Sequence, residues 1–521
     1  MKKTGVFAGI CTAFIAVGVS LPLKSAAYYE YRETIFGDIN ADLAVDFADV
    51  KCYNEIVVEN YAESPKNELL DLDGDTQLDI FDELIARKIS VGQIKKTQRN
   101  ECVDNGENYD ISGFTKPYIQ NVDYSLPSQG DARLLGFYVD FPDMKYDYEP
   151  TLDEIRRITF GNEKVRGTNY PFESIAAFFK RSSKGAMNLS GDFFRYTAKH
   201  EMAYYENDYD IIVKECLDAF ADEVDYSEFD GNGDKIIDAV LVNVPESSDE
   251  ERWWWPSTGL FEDGSYKVDG MSVGMDIIGN AGINGDVYWV GYATTYAHEL
   301  CHAMGLPDYY LVNSIDNEGF HGPAGANLLD VDEASDLDCF SKLMLGWYKE
   351  GQILTYDGEG SYTLKNAQTD DGNCLVIQRK SASDGYFGEY MIAEYSTTDG
   401  NNIFLDVFDD DRFPIDSGVR VFHILADVYK YANSAVFKYE SRSQFLNGND
   451  DGYRLIRLVG DEDGGNMLKV GSGENAISDN TSGFAWYDRR QRETVSTGLV
   501  ISPESCENGE FTILIEKNNL I

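Results

Sequence analysis

Residues 298–308 read His-Glu-Leu-Cys-His-Ala-Met-Gly-Leu-Pro-Asp, and no other run restricts the fold as much. Residues four apart on a helix project from one face, so His298 and His302 can reach a single zinc ion while Glu299 lies beside them to hold a water. Gly305 can take the left-handed conformation that ends a helix, and Pro307 blocks its continuation, so the chain can turn back and bring Asp308 to the metal. Three protein ligands leave one position open for water, whose pKa zinc lowers toward roughly 7, and Glu299 can take the proton. The expected chemistry is peptide hydrolysis without a covalent intermediate. The competing explanation is a chance H-E-x-x-H on a solvated helix. Only five His occur in 521 residues, and two of them fall in this run with its Gly and Asp, which argues against chance. The preceding residues 292–297 are expected to form the first part of the same helix.

Around this run, residues 133–143 read as a buried strand ending in a Pro turn and residues 239–244 as another, with helical patterns between them. From about Tyr362 onward, strand-like runs at 390–395, 419–424 and 511–515 alternate with Gly- and Asp-rich turns, which points to a β-rich region. Together with the zinc run, residues 134–143 with their Phe-Pro-Asp turn, Leu343-Met344-Leu345-Gly346-Trp347, residues 390–394 and residues 418–427 including His423 resemble the immune-inhibitor-A-like family of secreted zinc peptidases, relatives of the metzincins. The resemblance extends from about residue 130 to the C-terminus and implies an α/β catalytic domain followed by β-rich elements. One position departs from it. Where the family usually shows Asp-Leu-Met, this chain has Asn327-Leu328-Leu329, so Leu329 stands in for the Met of a turn beneath the zinc. Leu is close to Met in volume and apolar, so packing there is expected to survive.

Two similar acidic segments lie near the N-terminus. The first presents Asp38, Asn40, Asp42, Asp46 and Asp49; the second presents Asp71, Asp73, Asp75, Asp79 and Asp82. Each set fits positions one, three, five, nine and twelve of a calcium loop, with Val45 and Leu78 at the apolar eighth position. The sixth position, where Gly is preferred, holds Leu43 and Thr76. The pair resembles a dockerin, the module that docks secreted enzymes onto cohesin domains of cellulosome-type scaffolds. That resemblance makes Phe47, Ala48, Ile80 and Phe81 candidate cohesin contacts. A calcium-stabilised helix pair without a partner is the alternative. A third acidic loop, Asp230-Gly-Asn232-Gly-Asp234-Lys-Ile236-Ile-Asp238, has calcium-loop spacing but Leu241 at its twelfth position, so it is expected to run into a strand rather than form an EF-hand.

Lys2 and Lys3 precede an apolar stretch from about Val6 to Leu23, followed by Ser25-Ala26-Ala27, the pattern of a cleaved export signal, with an uncleaved anchor as the alternative. No later segment is apolar for long enough to span a bilayer. A formal net charge of −47, from 44 Lys+Arg against 91 Asp+Glu, repels phosphate backbones and disfavours nucleic-acid binding. Outside the signal, seven cysteines of irregular spacing and no C-x-x-C pair argue against a disulfide framework or a cysteine zinc site. The rings of Trp253, Trp254 and Trp255 are expected in the core. Hydrogen-bonded structural roles are expected for His200, His321 and His423, and Cys301 is expected to point away from the metal into the core. Tyr309 and Tyr310 are candidates for binding the transition state.

The architecture expected is multidomain: a signal over 1–27, a small all-α EF-hand-like dockerin over 28–96, a linker or propiece over 97–130, an α/β metzincin-like zinc peptidase domain over 131–360 and a β-rich C-terminal region over 361–521. The function expected is that of a secreted endopeptidase tethered to a scaffold and acting on protein, with zinc and calcium as its ions. A non-catalytic scaffold-binding protein that retains the zinc fold is the alternative. A carbohydrate-active enzyme would need an acid pair in a sugar cleft, and no pair stands out.

Overall fold

The computed structural model describes residues 29–35, 98–104, 126–162, 173–206, 208–245, 254–261, 263–280, 285–310, 322–323, 327–330, 335–378, 388–402, 417–431, 434–437, 439, 454–460, 468–469, 476–488 and 493–518. They belong to two compact units. In the smaller, β1 (Tyr29–Ile35) and β2 (Gln98–Asp104) pair antiparallel from Tyr29↔Asp104 to Ile35↔Gln98, and a strand at Val428–Tyr431 joins β1 in parallel through Glu30↔Lys430. The expected all-α module over 28–96 thus opens on a strand, and the expected linker over 97–130 contains one. Tyr29, Tyr31 and Ile35 recur at even spacing in a run with Thr34, a composition that favours a pleated strand over a helix. The export-signal residues, both N-terminal acidic segments and the four candidate cohesin contacts lie outside the described residues.

The larger unit is built on a five-stranded sheet. Its elements in chain order are β3 (Gly130–Asp140), α1 (Leu152–Phe160), α2 (Ile175–Ser182), β4 (Met187–Thr197), α3 (Asp210–Phe220), β5 (Ile236–Asn243), β6 (Ser257–Leu260), β7 (Ser272–Gly279), α4 (Gly285–Ala303) and α5 (Cys339–Met344). The strand order is β4-β3-β5-β7-β6, with the first four parallel and β6 antiparallel on the edge. Parallel strands are covered on both faces and need near-continuous apolar sequence, and β3 supplies it. Leu135, Phe137, Val139 and Phe141 enter a core with Ile212, Val213, Cys216 and Leu217 of α3, while Leu134 and Tyr138, also buried, face the other way.

The β-rich region follows as β8 (Ile353–Thr355), β9 (Gly360–Lys365), β10 (Cys374–Gln378), β11 (Glu389–Ser396), β12 (Gly418–Leu425), β13 (Val428–Tyr431) and β14 (Ser434–Phe437), the last two strands belonging to the smaller unit's sheet, then β15 (Ile456–Leu458), β16 (Ala485–Asp488), β17 (Glu493–Ser496), β18 (Leu499–Glu507) and β19 (Glu510–Lys517). A five-stranded sheet, β15-β12-β11-β10-β8, and a three-stranded sheet, β18-β19-β9, share one apolar core containing Leu375, Met391, Val421, Ile501 and Ile513. β8 already belongs to the first of these sheets, so the β-rich region begins before residue 361.

Buried polar groups join this region to the α/β part. Lys184, after α2, donates from Nζ to the carbonyls of Ala367 (3.1 Å) and Thr369 (2.7 Å), and burial lowers its pKa to about 8. Asp336, buried and paired with Lys342 of α5 at 2.5 Å, accepts from Asn401 Nδ2 (3.0 Å). A short strap ahead of β3 clasps two helix ends: Leu126 N donates to Ala303 O (2.9 Å), Ser128 Oγ to Leu345 O (3.0 Å) and Gln129 Nε2 to Gly346 O (2.6 Å), while Trp347 Nε1 donates back to Ser128 O (2.8 Å). Among the described residues no helix is long and apolar enough to cross a membrane.

Candidate metal centre

Helix α4 carries the H-E-x-x-H run in its last turns, with Tyr292, Ala293, Tyr296, Ala297 and Leu300 buried along it. Its end is a Schellman turn. Gly305 stands at φ 100°, its N–H donates to His302 O (2.7 Å), and Leu306 N donates to Cys301 O (3.0 Å). This reversal returns Asp308 to the two imidazoles. Asp308 Oδ1 lies 3.1 Å from His298 Nε2 and 3.0 Å from His302 Nε2, and the two Nε2 atoms are 2.9 Å apart. Asp308 is 3% exposed and His298 likewise 3%, while His302 is partly exposed, so water reaches the cluster on the His302 side alone.

The other side of each ring settles which nitrogen carries the proton. His298 Nδ1 donates to Leu328 O (3.0 Å) and His302 Nδ1 to Leu306 O (2.7 Å). A carbonyl only accepts, so the proton sits on Nδ1 and a neutral ring turns a bare Nε2 inward. Two bare nitrogens and a carboxylate oxygen about 3 Å apart repel one another unless a cation or added proton lies among them. Bonds of about 2.0–2.1 Å in a tetrahedron put donor atoms about 3.3 Å apart, so this spacing and this N/N/O set suit zinc. Burial raises the Asp308 carboxyl; with an added proton on the imidazoles in place of a cation, their hydrogen bonds and charge outweigh burial and hold the group far below its ordinary value.

Glu299, 6% exposed, places a carboxylate oxygen within 4.8 Å of both imidazole donor atoms. Its Oε2 lies 2.7 Å from Thr258 Oγ1 on β6, and its backbone carbonyl lies 2.8 Å from the same hydroxyl. Sequence reading missed Thr258. It stands 41 residues from Glu299 in the short segment Ser-Thr-Gly-Leu, which carries no motif.

The turn under His298 is held by Asn327. Its Nδ2 donates to Asp338 Oδ2 (2.7 Å) and Ser341 Oγ (3.1 Å), and its Oδ1 accepts from Leu329 N (2.7 Å). Leu328 and Leu329 are fully buried. Of the two tyrosine candidates, Tyr309 has its hydroxyl engaged elsewhere. It is 5% exposed, and its hydroxyl lies 2.8 Å from Ser341 Oγ, in that same network. Tyr310 lies with its ring stacked 6.4 Å from His298. Cys301 is buried, and burial pushes its thiol well up.

The other expected residues are placed as follows. In the loop after α3, Asp230 Oδ1 accepts from Gly233 N (2.7 Å) and Asp234 N (3.1 Å), its Oδ2 accepts from Lys235 N (2.9 Å), and Asn232 donates from Nδ2 to Asp234 Oδ2 (2.9 Å). Asp238, already on β5, accepts from Arg133 N (2.8 Å) and Gly231 N (3.1 Å). Burial, with Asp230 and Asp234 adding to it against those two bonds, raises Asp238 to about 7. His423 lies 2.9 Å from Glu389 Oε1 and stacks on Tyr487 at 5.0 Å. His200 is exposed beside Tyr204 at 4.1 Å, and His321 lies outside the described residues. The tryptophans need a correction. Trp254 is buried against Tyr209 (4.7 Å) and Phe141 (5.6 Å), but Trp255 is 71% exposed. Successive residues of an extended chain face opposite sides, so both rings cannot enter one core. Cys216, Cys301, Cys339 and Cys374 are free and buried, and Cys506 is free and exposed.

Neither the protein-family models nor the curated proteins give a match to this chain.

Proposed function

We propose that this protein is a zinc-dependent endopeptidase in which His298, His302 and Asp308 hold the metal and Glu299 moves the protons. The observation that carries the reading is the convergence of two bare Nε2 atoms and a carboxylate oxygen, with a fourth group, Glu299, beside them. A zinc ion bound there would polarise a carbonyl and acidify a water. Glu299 orients the attacking water, accepts its proton and delivers it to the leaving amine. The Leu328 and Leu306 carbonyls keep both imidazoles in the tautomer that leaves Nε2 free. Edge strand β6 lies beside Glu299 and, among the described residues, has no strand on its outer side. An extended peptide adding there would lie along the site.

Removing each group separates the roles. Glu299→Ala is expected to abolish hydrolysis of a casein-type substrate with zinc still bound, and His302→Ala to lose both metal and activity. Equal hydrolysis by wild type and Glu299→Ala overturns the peptidase reading; full zinc content in His302→Ala overturns the ligand assignment.

Two further parts of the proposal rest on sequence pattern. The duplicated acidic segments support a calcium-dependent dockerin that tethers the exported enzyme to a cohesin-bearing scaffold. The loop from Asp230 to Asp238 supports a structural calcium ion at the head of β5.

A further inference from the structure

We infer that Thr258 is a positioning residue for Glu299, its single hydroxyl proton holding the carboxylate in the orientation that faces the metal centre. This rests on the peptidase reading above. Thr258 Oγ1 is 2.7 Å from Glu299 Oε2 and 2.8 Å from Glu299 O. A hydroxyl donates one proton at a time, so the two contacts compete. The carboxylate wins, because a hydrogen bond to an ionised acceptor is about twice as strong as one to a neutral carbonyl. Nor does the Glu299 carbonyl depend on Thr258, since it lies inside α4, where the helix ladder supplies a donor.

The carboxylate does depend on its donors. Glu299 is 6% exposed, and a buried carboxylate without hydrogen bonds is unfavourable. With Oε2 fixed by Thr258, the group has one oxygen left for water near the imidazoles. The anchor comes from β6, which pairs with β7 through Thr258↔Ile277. The position of the base is therefore set by the sheet as well as by its own helix. Thr258 touches neither substrate nor metal in this scheme; it acts through Glu299.

A purely structural staple between β6 and α4 would give the same distances, and the test separates the two. Thr258→Val keeps the shape and removes the hydroxyl; Thr258→Ser keeps the hydroxyl. In the zinc-loaded full chain, Thr258→Val is expected to lower kcat about ten-fold or more with KM and zinc content unchanged, and Thr258→Ser to recover to within about three-fold of wild type. The second readout is calorimetric binding of a peptide hydroxamate, whose acidic proton is shared with Glu299. Its affinity should weaken in the Val variant and return in the Ser variant. Thr258→Ala repeats both measurements if valine prevents folding. Wild-type kcat and wild-type hydroxamate affinity in a folded variant lacking the hydroxyl overturn the inference, whatever its melting temperature. A wild type that binds zinc and hydroxamate but cleaves no protein overturns the peptidase reading instead, and the hydroxamate comparison then still decides the role of Thr258.

Discussion

Glu394 shows what a single buried charge does at the residue scale. It lies on β11 opposite Arg420 of β12, both nearly inaccessible, and its Oε2 has no hydrogen-bond partner among the described residues. Burial raises its pKa to about 7 although Lys342 and Arg420 pull it down. A carboxyl whose folded pKa lies above its ordinary 4.5 favours folding most when protonated. Its contribution is fully present below about 4.5 and is lost as pH rises through about 7, on the order of 3 kcal/mol. Glu394→Gln is expected to flatten the fall in melting temperature between pH 5 and 8; an unchanged slope would mean that Glu394 is ionised throughout. The sequence does not reveal this, because Glu394 reads as one polar residue in a strand, and it is buried on the face of β11 opposite Met391 and Ala393, beside Lys342 of α5 and Asp338. Trp254 and Trp255 teach the same lesson, since adjacent identical residues have opposite exposures.

At the element scale, the helix of the site and its reversal are legible because every determinant is local: His298, Glu299, His302, Gly305 and Pro307 fall within ten positions. What the sequence hides comes from elsewhere in the chain, namely the Leu328 carbonyl that fixes a tautomer and the Thr258 hydroxyl that holds Glu299. Gly305→Ala tests the reversal. A side chain at φ 100° is strained, so the change is expected to cost about 1–2 kcal/mol of stability and to weaken zinc retention through Asp308, checked by denaturant melts and by competition with a chelator. The loop before β5 is the other element whose chemistry its spacing announces. Asp230→Ala is expected to reduce bound calcium by one ion and to lower the melting temperature in calcium, while leaving the two proteins alike in chelator apart from the loss of the Asp230 hydrogen bonds. An unchanged ion count would show that the loop is an acidic turn and no more.

On the scale of the whole molecule, the expected order of an α/β sheet followed by β-rich structure holds, but the expected border does not act as one. Lys184, bonded to the Ala367 and Thr369 carbonyls, and Asp336, accepting from Asn401, bind the two parts through buried polar contacts, and apart from residues 428–436 both parts belong to one compact unit. Local patterns identify strands and helices; they carry no record of which distant surfaces close on each other. The N-terminal pattern makes a prediction for the intact chain. Calcium should permit binding to a cohesin and chelator should abolish it, while substitution of Phe47 and Ile80 by Ala weakens docking and leaves proteolysis intact. A folded, calcium-loaded chain that binds no cohesin from the same organism would end the docking proposal.

The strap over residues 126–129 sets a floor for trimming. Four hydrogen bonds link it to Ala303, Leu345, Gly346 and Trp347, each worth about 1 kcal/mol. A protease that shortens the chain from its N-terminal side can pass through the residues ahead of Leu126 without disturbing these bonds, but a cut beyond Gln129 frees the ends of both α4 and α5 at once. Limited digestion should therefore leave a core fragment that starts at or before Leu126, and N-terminal sequencing of that fragment reads the limit directly.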